Sequence, residues 1–236
     1  AWMINPKLLD TLKKHPLLIF VYGGPGINTV NDAWSWNNYF WFQYLAQNGF
    51  IVVSVDARGT GHRGKDFKHA TYRQLGKYET EDQIAAAKYL ANKPYIDENN
   101  IGIFGWSYGG YMSSLCITKG ADVFKSAIAV APVTNWRYYD NIYTERFMQK
   151  PQDNGENYDI NSPINHVEKL KGNYLLIHGT ADDNVHFQNA TEMVSALVNK
   201  NKQFEFFAYP DKNHGIYGGF TRPVSYTHLR AHETCL

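Results

Sequence analysis

The sequence predicts a doubly wound α/β domain on a mostly parallel sheet. Three observations carry that expectation. Apolar runs of strand length recur at 17–22, 50–56, 101–106, 127–131, 174–178 and 204–209. Most are continuously apolar rather than alternating, the pattern of strands covered on both faces. Helix-compatible stretches lie between them, and alternating strands and helices wind into a parallel sheet through right-handed crossovers. At 236 residues, 44% of them hydrophobic, the chain suits one sizeable domain with a real core.

Each element has a local cause. The first residues, Ala1-Trp2-Met3-Ile4, carry no signal-peptide pattern. Residues 6–16 read as a linker or short helix leading into the first strand, and the chain reads as a fragment whose upstream part is missing. A helix is expected over 38–47, closed by Asn48-Gly49, because glycine readily takes the left-handed conformation that ends helices. The clearest helix spans 81–92. There Thr80-Glu81-Asp82-Gln83 fits a capping box with two carboxylates in the positive first turn. Ile84, Ala87 and Ala91 share one face of it. Another helix is expected over 187–199, with Phe187, Ala190, Val194, Leu197 and Val198 facing inward. Residues 135–163 are weakly periodic, polar and aromatic, and are expected to form an insertion over the active site. No internal repeat or low-complexity segment is present.

Composition removes several function classes. Lys and Arg number 23 against 22 Asp and Glu, a net charge of +1, with no basic stripe of the kind nucleic-acid binding needs. No apolar stretch approaches the ~20 residues of a membrane span. Cys116 and Cys235 do not make a disulfide framework, and Cys116 reads as a buried thiol. The 17 tyrosines and 6 tryptophans can fill a core or line a cleft.

The chemistry is concentrated at Gly105-Trp106-Ser107-Tyr108-Gly109, a complete G-x-S-x-G. The apolar run Ile101-Gly102-Ile103-Phe104 precedes it and the helix-compatible Tyr111-Met112-Ser113-Ser114-Leu115 follows. Strand, turn and helix are the context of a nucleophile elbow. The turn is so tight that the flanking positions must be nearly free of side chains, which glycine allows. A serine hydroxyl is a poor nucleophile until a base reaches it and an acid orients that base. In α/β-hydrolases the chain order is Ser, then Asp or Glu, then His. Run 174–178 leads into Gly179-Thr180-Ala181-Asp182-Asp183, and run 204–209 into Pro210-Asp211-Lys212-Asn213-His214-Gly215. Asp182 is the favoured acid, the first loop position after the Gly-Thr-Ala turn. Its rival Asp183 is expected to hold the loop through backbone donors. His214 follows a strand and precedes a glycine, so its loop can turn sharply. His178, inside its strand, reads as a structural core histidine, and His186 as opening the next helix. The developing oxyanion needs fixed donors. One is expected from the Tyr108 backbone N–H, the other from the loop Tyr22-Gly23-Gly24-Pro25-Gly26. A phosphate-binding reading of those glycines fails, because no Gly-Lys-Ser/Thr follows.

These residues together resemble the prolyl oligopeptidase family of serine peptidases, in particular the catalytic domain of its dipeptidyl peptidase IV branch. The motifs are Val21-Tyr22-Gly23-Gly24-Pro25, Asp56-Ala57-Arg58-Gly59-Thr60-Gly61 and Gly105-Trp106-Ser107-Tyr108-Gly109-Gly110-Tyr111. Further on come Ala129-Val130-Ala131-Pro132-Val133, Tyr138-Tyr139-Asp140, Tyr143-Thr144-Glu145-Arg146 and His178-Gly179-Thr180-Ala181-Asp182-Asp183-Asn184-Val185-His186-Phe187.

The resemblance implies an α/β-hydrolase fold over residues 1–222 with Ser107, Asp182 and His214 as a triad. It implies that Tyr22 donates its phenolic hydroxyl to the oxyanion. Tyr139, Tyr143, Trp136, Val133 and Val185 would take a proline ring, and Asn184 and Tyr139 would hold substrate near its free amino end. The implied reaction is release of Xaa-Pro or Xaa-Ala dipeptides through an acyl-enzyme, with no metal or organic cofactor. The implied setting is periplasmic or extracellular, in a full-length homodimer. Two departures stand out. The family's β-propeller, with its paired acidic residues, is not in this chain. Residues 223–236 lack the apolar face of the family's last helix and read as a non-native tail. The alternatives are a related endopeptidase, acylaminoacyl peptidase or esterase, or a non-catalytic binding relative.

Overall fold

The computed structural model describes residues 1–33 and 38–220. The expected tail at 223–236 lies outside the described residues. Seven strands form a single sheet: β1 (Trp2–Ile4), β2 (His15–Val21), β3 (Ile51–Ser54), β4 (Ile96–Trp106), β5 (Ser126–Val130), β6 (Asn173–Gly179) and β7 (Glu205–Tyr209). Their order is β1-β3-β2-β4-β5-β6-β7. β1 runs antiparallel to β3, and every other pairing is parallel.

The parallel strands are buried on both faces, as their continuous apolar runs predict. Alternate residues of one strand enter two separate cores. Leu17, Ile19 and Val21 of β2 pack on one side with Tyr174 and Leu176 of β6. Leu18 packs on the other with Leu175 and Ile177. Along the edge strand β7 burial alternates instead.

Helices cover the two faces: α1 (Tyr39–Gln47), α2 (Lys65–His69), α3 (Lys77–Ala91), α4 (Tyr108–Lys119), α5 (Asn141–Met148), α6 (Pro151–Ile160) and α7 (Gln188–Asn199). Two 3₁₀ segments, Trp136–Tyr138 and Pro163–Lys169, flank α5 and α6. The predicted insertion 135–163 is thus the first of these segments followed by α5 and α6. Gly49, at φ 95°, sits just past the Asn48 cap of α1. Cys116 is a free, buried thiol on α4.

Several boundaries differ from the sequence reading. β1 was not anticipated, since three residues carry too little periodicity to register. β4 begins five residues earlier than its apolar run, through a polar stretch where Ile96 pairs with His15. Residues 6–16 form turns and the start of β2 rather than a helix. The expected start of α3 is one turn late. Gly76, at φ 87°, opens the helix, and its N–H donates to the Glu79 carboxylate at 3.0 Å. Gln83 is not a cap: it is buried, and its amide donates to the Val55 carbonyl at 2.8 Å. On α7 Val198 points outward, 61% exposed, while Ala190 and Leu197 are buried.

Candidate active site

The carboxyl ends of β4, β6 and β7 meet at one rim of the sheet, where ligands of doubly wound folds bind. Ser107 stands between β4 and α4 at φ 59° and ψ −117°. Such a backbone costs on the order of 1–3 kcal/mol and persists only where its surroundings impose it. Here the surroundings are main chain. The Ser107 N–H donates to the Val130 carbonyl at 2.8 Å. A Cβ on Gly105 would run into the backbone of Gly109, and one on Gly109 into the Val21 carbonyl. The two glycines therefore let β4, α4 and β2 close on one another with the serine at the crest. Tyr108 is the first residue of α4, so its N–H has no intrahelical partner and faces the positive end of the helix.

Asp182 and His214 come from the loops after β6 and β7. A side chain on Gly179 would strike the Lys212 carbonyl, so only glycine permits this approach. The loops are then stitched together. Thr180 N–H donates to Tyr209 O at 2.9 Å, and Ala181 N–H to Lys212 O at 3.1 Å. Asp211 N–H donates to the Thr180 hydroxyl at 2.9 Å. The result sets His214 Nδ1 2.8 Å from Asp182 Oδ2. The other oxygen, Oδ1, accepts the N–H groups of Asn184 at 3.0 Å and Val185 at 2.9 Å. Asp182 itself thus fills the loop-holding role expected of Asp183, which is exposed. Burial pushes the Asp182 carboxyl up, but hydrogen bonds from His178 and His214 outweigh it and hold the group well below the usual carboxylate range. Asp182 is therefore an ion with its charge fully accounted for by donors.

His214 is partly exposed, and its carbonyl accepts the Trp106 indole N–H at 3.0 Å. The residue before Ser107 is thereby tied to the backbone of the candidate base. Ser107 Oγ itself makes no hydrogen bond to His214 among the described residues. Serine–imidazole contacts of this kind commonly tighten only with substrate present.

Tyr22 follows directly on β2, its ring centroid 6.0 Å from that of Tyr108. Burial raises its hydroxyl pKa, so the phenol keeps its proton as a donor. The predicted ring-binding residues gather beside it. Trp136 and Tyr143 stack at 5.8 Å, Tyr139 meets Tyr143 edge-on at 5.4 Å, and Val133 and Val185 are buried below. Trp136 is itself 1% exposed, so it backs the two tyrosines rather than lining open space. The Tyr139 hydroxyl donates to Asn184 Oδ1 at 2.7 Å, joining the insertion to the Asp182 loop.

Two neighbours of the site were missed by sequence reasoning. His178 is a core histidine, as expected, but its Nε2 lies 3.2 Å from Asp182 Oδ2. Glu79 is fully buried and accepts the Tyr108 hydroxyl at 2.7 Å. Burial raises its carboxyl to about 7, against opposing hydrogen bonds from Tyr108 and Gly76. The only sequence hint was the spacing of Glu79 from Gly76, a capping-box interval.

The Glu79 shift has a definite sign. Its folded value, about 7, exceeds the ordinary 4.5, so its contribution to stability is complete below about 4.5 and lost as pH rises through about 7. Urea unfolding of the parent and Glu79→Gln between pH 4.5 and 8 is expected to show the difference moving in the variant's favour by a few kcal/mol, about 3 at most. A constant difference would mean that Glu79 does not titrate there. Gly179→Ala is expected to lower unfolding stability by about 2 kcal/mol or more, because a backbone carbonyl must move. An alanine variant as stable as the parent would show that the two loops do not need this approach.

Residues 35–232 match the prolyl oligopeptidase family. Mouse prolyl endopeptidase FAP is 48% identical over 231 residues, which are 96% of this chain and 30% of that protein. Cat dipeptidyl peptidase 4 is 46% identical, again over 96% of this chain and 30% of the relative. The crystal structure of Porphyromonas gingivalis dipeptidyl peptidase 4 superposes with a TM-score of 0.96 at 45% identity, covering 99% of this chain and 33% of that one. The chain thus spans about a third of the length of these relatives. Most of its own length lies inside the family match, and the chain belongs to the prolyl oligopeptidase family.

Proposed function

We propose that this chain is the catalytic domain of a serine peptidase that releases Xaa-Pro, or Xaa-Ala, dipeptides from peptide amino termini. The observation that carries the reading is the 2.8 Å contact of His214 with a buried, ionised Asp182, beside a strained serine elbow. In this reading Ser107 Oγ attacks the scissile carbonyl carbon while His214 Nε2 takes the hydroxyl proton. The Tyr108 N–H and the Tyr22 hydroxyl stabilise the oxyanion. Collapse expels the amine, which leaves with the proton held on His214. Water then repeats the sequence on the acyl-enzyme and frees Ser107.

The aromatic pocket supports a proline preference. A flat apolar ring packs well against the faces of Tyr139 and Tyr143, and the wall behind them is dry. One observation favours a second reading. The mouse relative bears the name of an endopeptidase, whereas the cat and bacterial relatives bear that of a dipeptidyl peptidase. The two readings share the chemistry and differ in whether a free amino end is required.

The tests use the purified protein in the longest form its source encodes. Cleavage of a free-amine Xaa-Pro reporter, with none of its N-blocked counterpart, is the expected result; cleavage of both would favour the endopeptidase reading. A fluorophosphonate probe should label the parent and not Ser107→Ala. An unlabelled, folded parent would remove the serine-hydrolase reading altogether. Tyr22→Phe is expected to lower kcat by roughly 10²-fold or more. An unchanged kcat in that variant would take Tyr22 out of the oxyanion site.

A further inference from the structure

We propose that His178 is a positioning residue for the Asp182–His214 pair: its Nε2–H donates to the Val185 carbonyl and lies against the Asp182 oxygen that His214 also uses, and so holds the Asp182 loop in line with His214. The proposal rests on the Ser107–Asp182–His214 reading above. His178 lies on β6 with its side chain wholly buried. Its Nε2 is 2.8 Å from the Val185 carbonyl and 3.2 Å from Asp182 Oδ2. Both neighbours accept, so the ring proton belongs on Nε2. Its Nδ1 is buried without a hydrogen-bond partner among the described residues, and the edge of the ring meets Phe187 at 5.7 Å.

An orphaned buried nitrogen is a cost that an apolar ring of similar size would avoid. What such a ring would lose is the Nε2 donor. That donor completes a closed circuit. Val185 gives its N–H to Asp182 Oδ1 and accepts the His178 Nε2–H at its carbonyl, and Asp182 Oδ2 lies 3.2 Å from that same Nε2. With His178 in place, Oδ2 lies between two imidazoles, hydrogen-bonded to His214 and 3.2 Å from His178. Without it, His214 is the one side chain left against that oxygen among the described residues. Val185 is then no longer fastened to β6, and the loop whose N–H groups hold Asp182 Oδ1 can shift and carry Oδ2 out of line with the imidazole.

Three substitutions separate positioning from mere packing. The amide nitrogen of His178→Gln falls where Nε2 stands, that of His178→Asn falls where Nδ1 stands, and His178→Phe has neither. Expected is a kcat within about 3-fold of the parent for His178→Gln. His178→Asn and His178→Phe should lose roughly 10–100-fold in kcat, the scale seen when a partner that orients a functional group is removed. KM should stay within about 3-fold throughout. Melting temperatures are measured alongside. Equal losses in all three variants that follow their melting temperatures, or a full kcat in His178→Phe, would overturn the proposal.

Nitrogen-15 NMR of the parent supplies an assay that needs no turnover. A neutral Nε2–H tautomer at His178 is expected, and an Nδ1–H or doubly protonated ring would overturn the proposal. Failure of the fluorophosphonate probe on the parent would instead strike the serine-peptidase reading and leave this tautomer assignment standing.

Discussion

One buried carboxylate organises the functional rim. The side chain of Asp182 has no exposed surface, and a bare charge there would be untenable. Three hydrogen bonds make it tenable, from two backbone N–H groups on one oxygen and from His214 on the other, with the His178 ring 3.2 Å away. Each donor comes with structure attached. The amides of Asn184 and Val185 shape the loop that leads into α7. His178 anchors the carboxylate to β6, and His214 brings in the loop after β7. Satisfying this one ion therefore folds the surrounding segments around it, and the chemistry inherits the result.

The second constraint is how closely main chain approaches main chain. Gly105, Gly109 and Gly179 each stand where a single methyl group would collide with backbone. The first two crowd the elbow and hold Ser107 in a conformation that non-glycine residues seldom adopt. The third brings two loops within hydrogen-bond reach of each other. The site is thus built from absent side chains as much as from present ones. It is also why the candidate site sits on short loops tied down at the strand ends.

Much of this was legible in the chain, for physical reasons. Continuous apolar runs report burial on two faces, so the central strands could be read one by one. The order of strand ends put Asp182 and His214 in adjacent loops, and the G-x-S-x-G put Ser107 at a strand-to-helix turn. What stayed hidden is contact across long sequence distance. Glu79 stands just before Thr80-Glu81-Asp82-Gln83, which reads as the capping box itself. Its burial depends on Tyr108, 29 residues away. A histidine inside an apolar strand likewise says nothing of what its ring meets. The helix around Glu79 was placed a turn late for a related reason: several polar residues there could cap, and only the left-handed turn at Gly76 decides among them.

The indole N–H of Trp106 holds the carbonyl of His214 across the mouth of the sheet. This strut joins a side chain beside Ser107 to the main chain of His214, not the two residues' own side chains. Any shift of the end of β4 against the loop after β7 therefore has to stretch or break it.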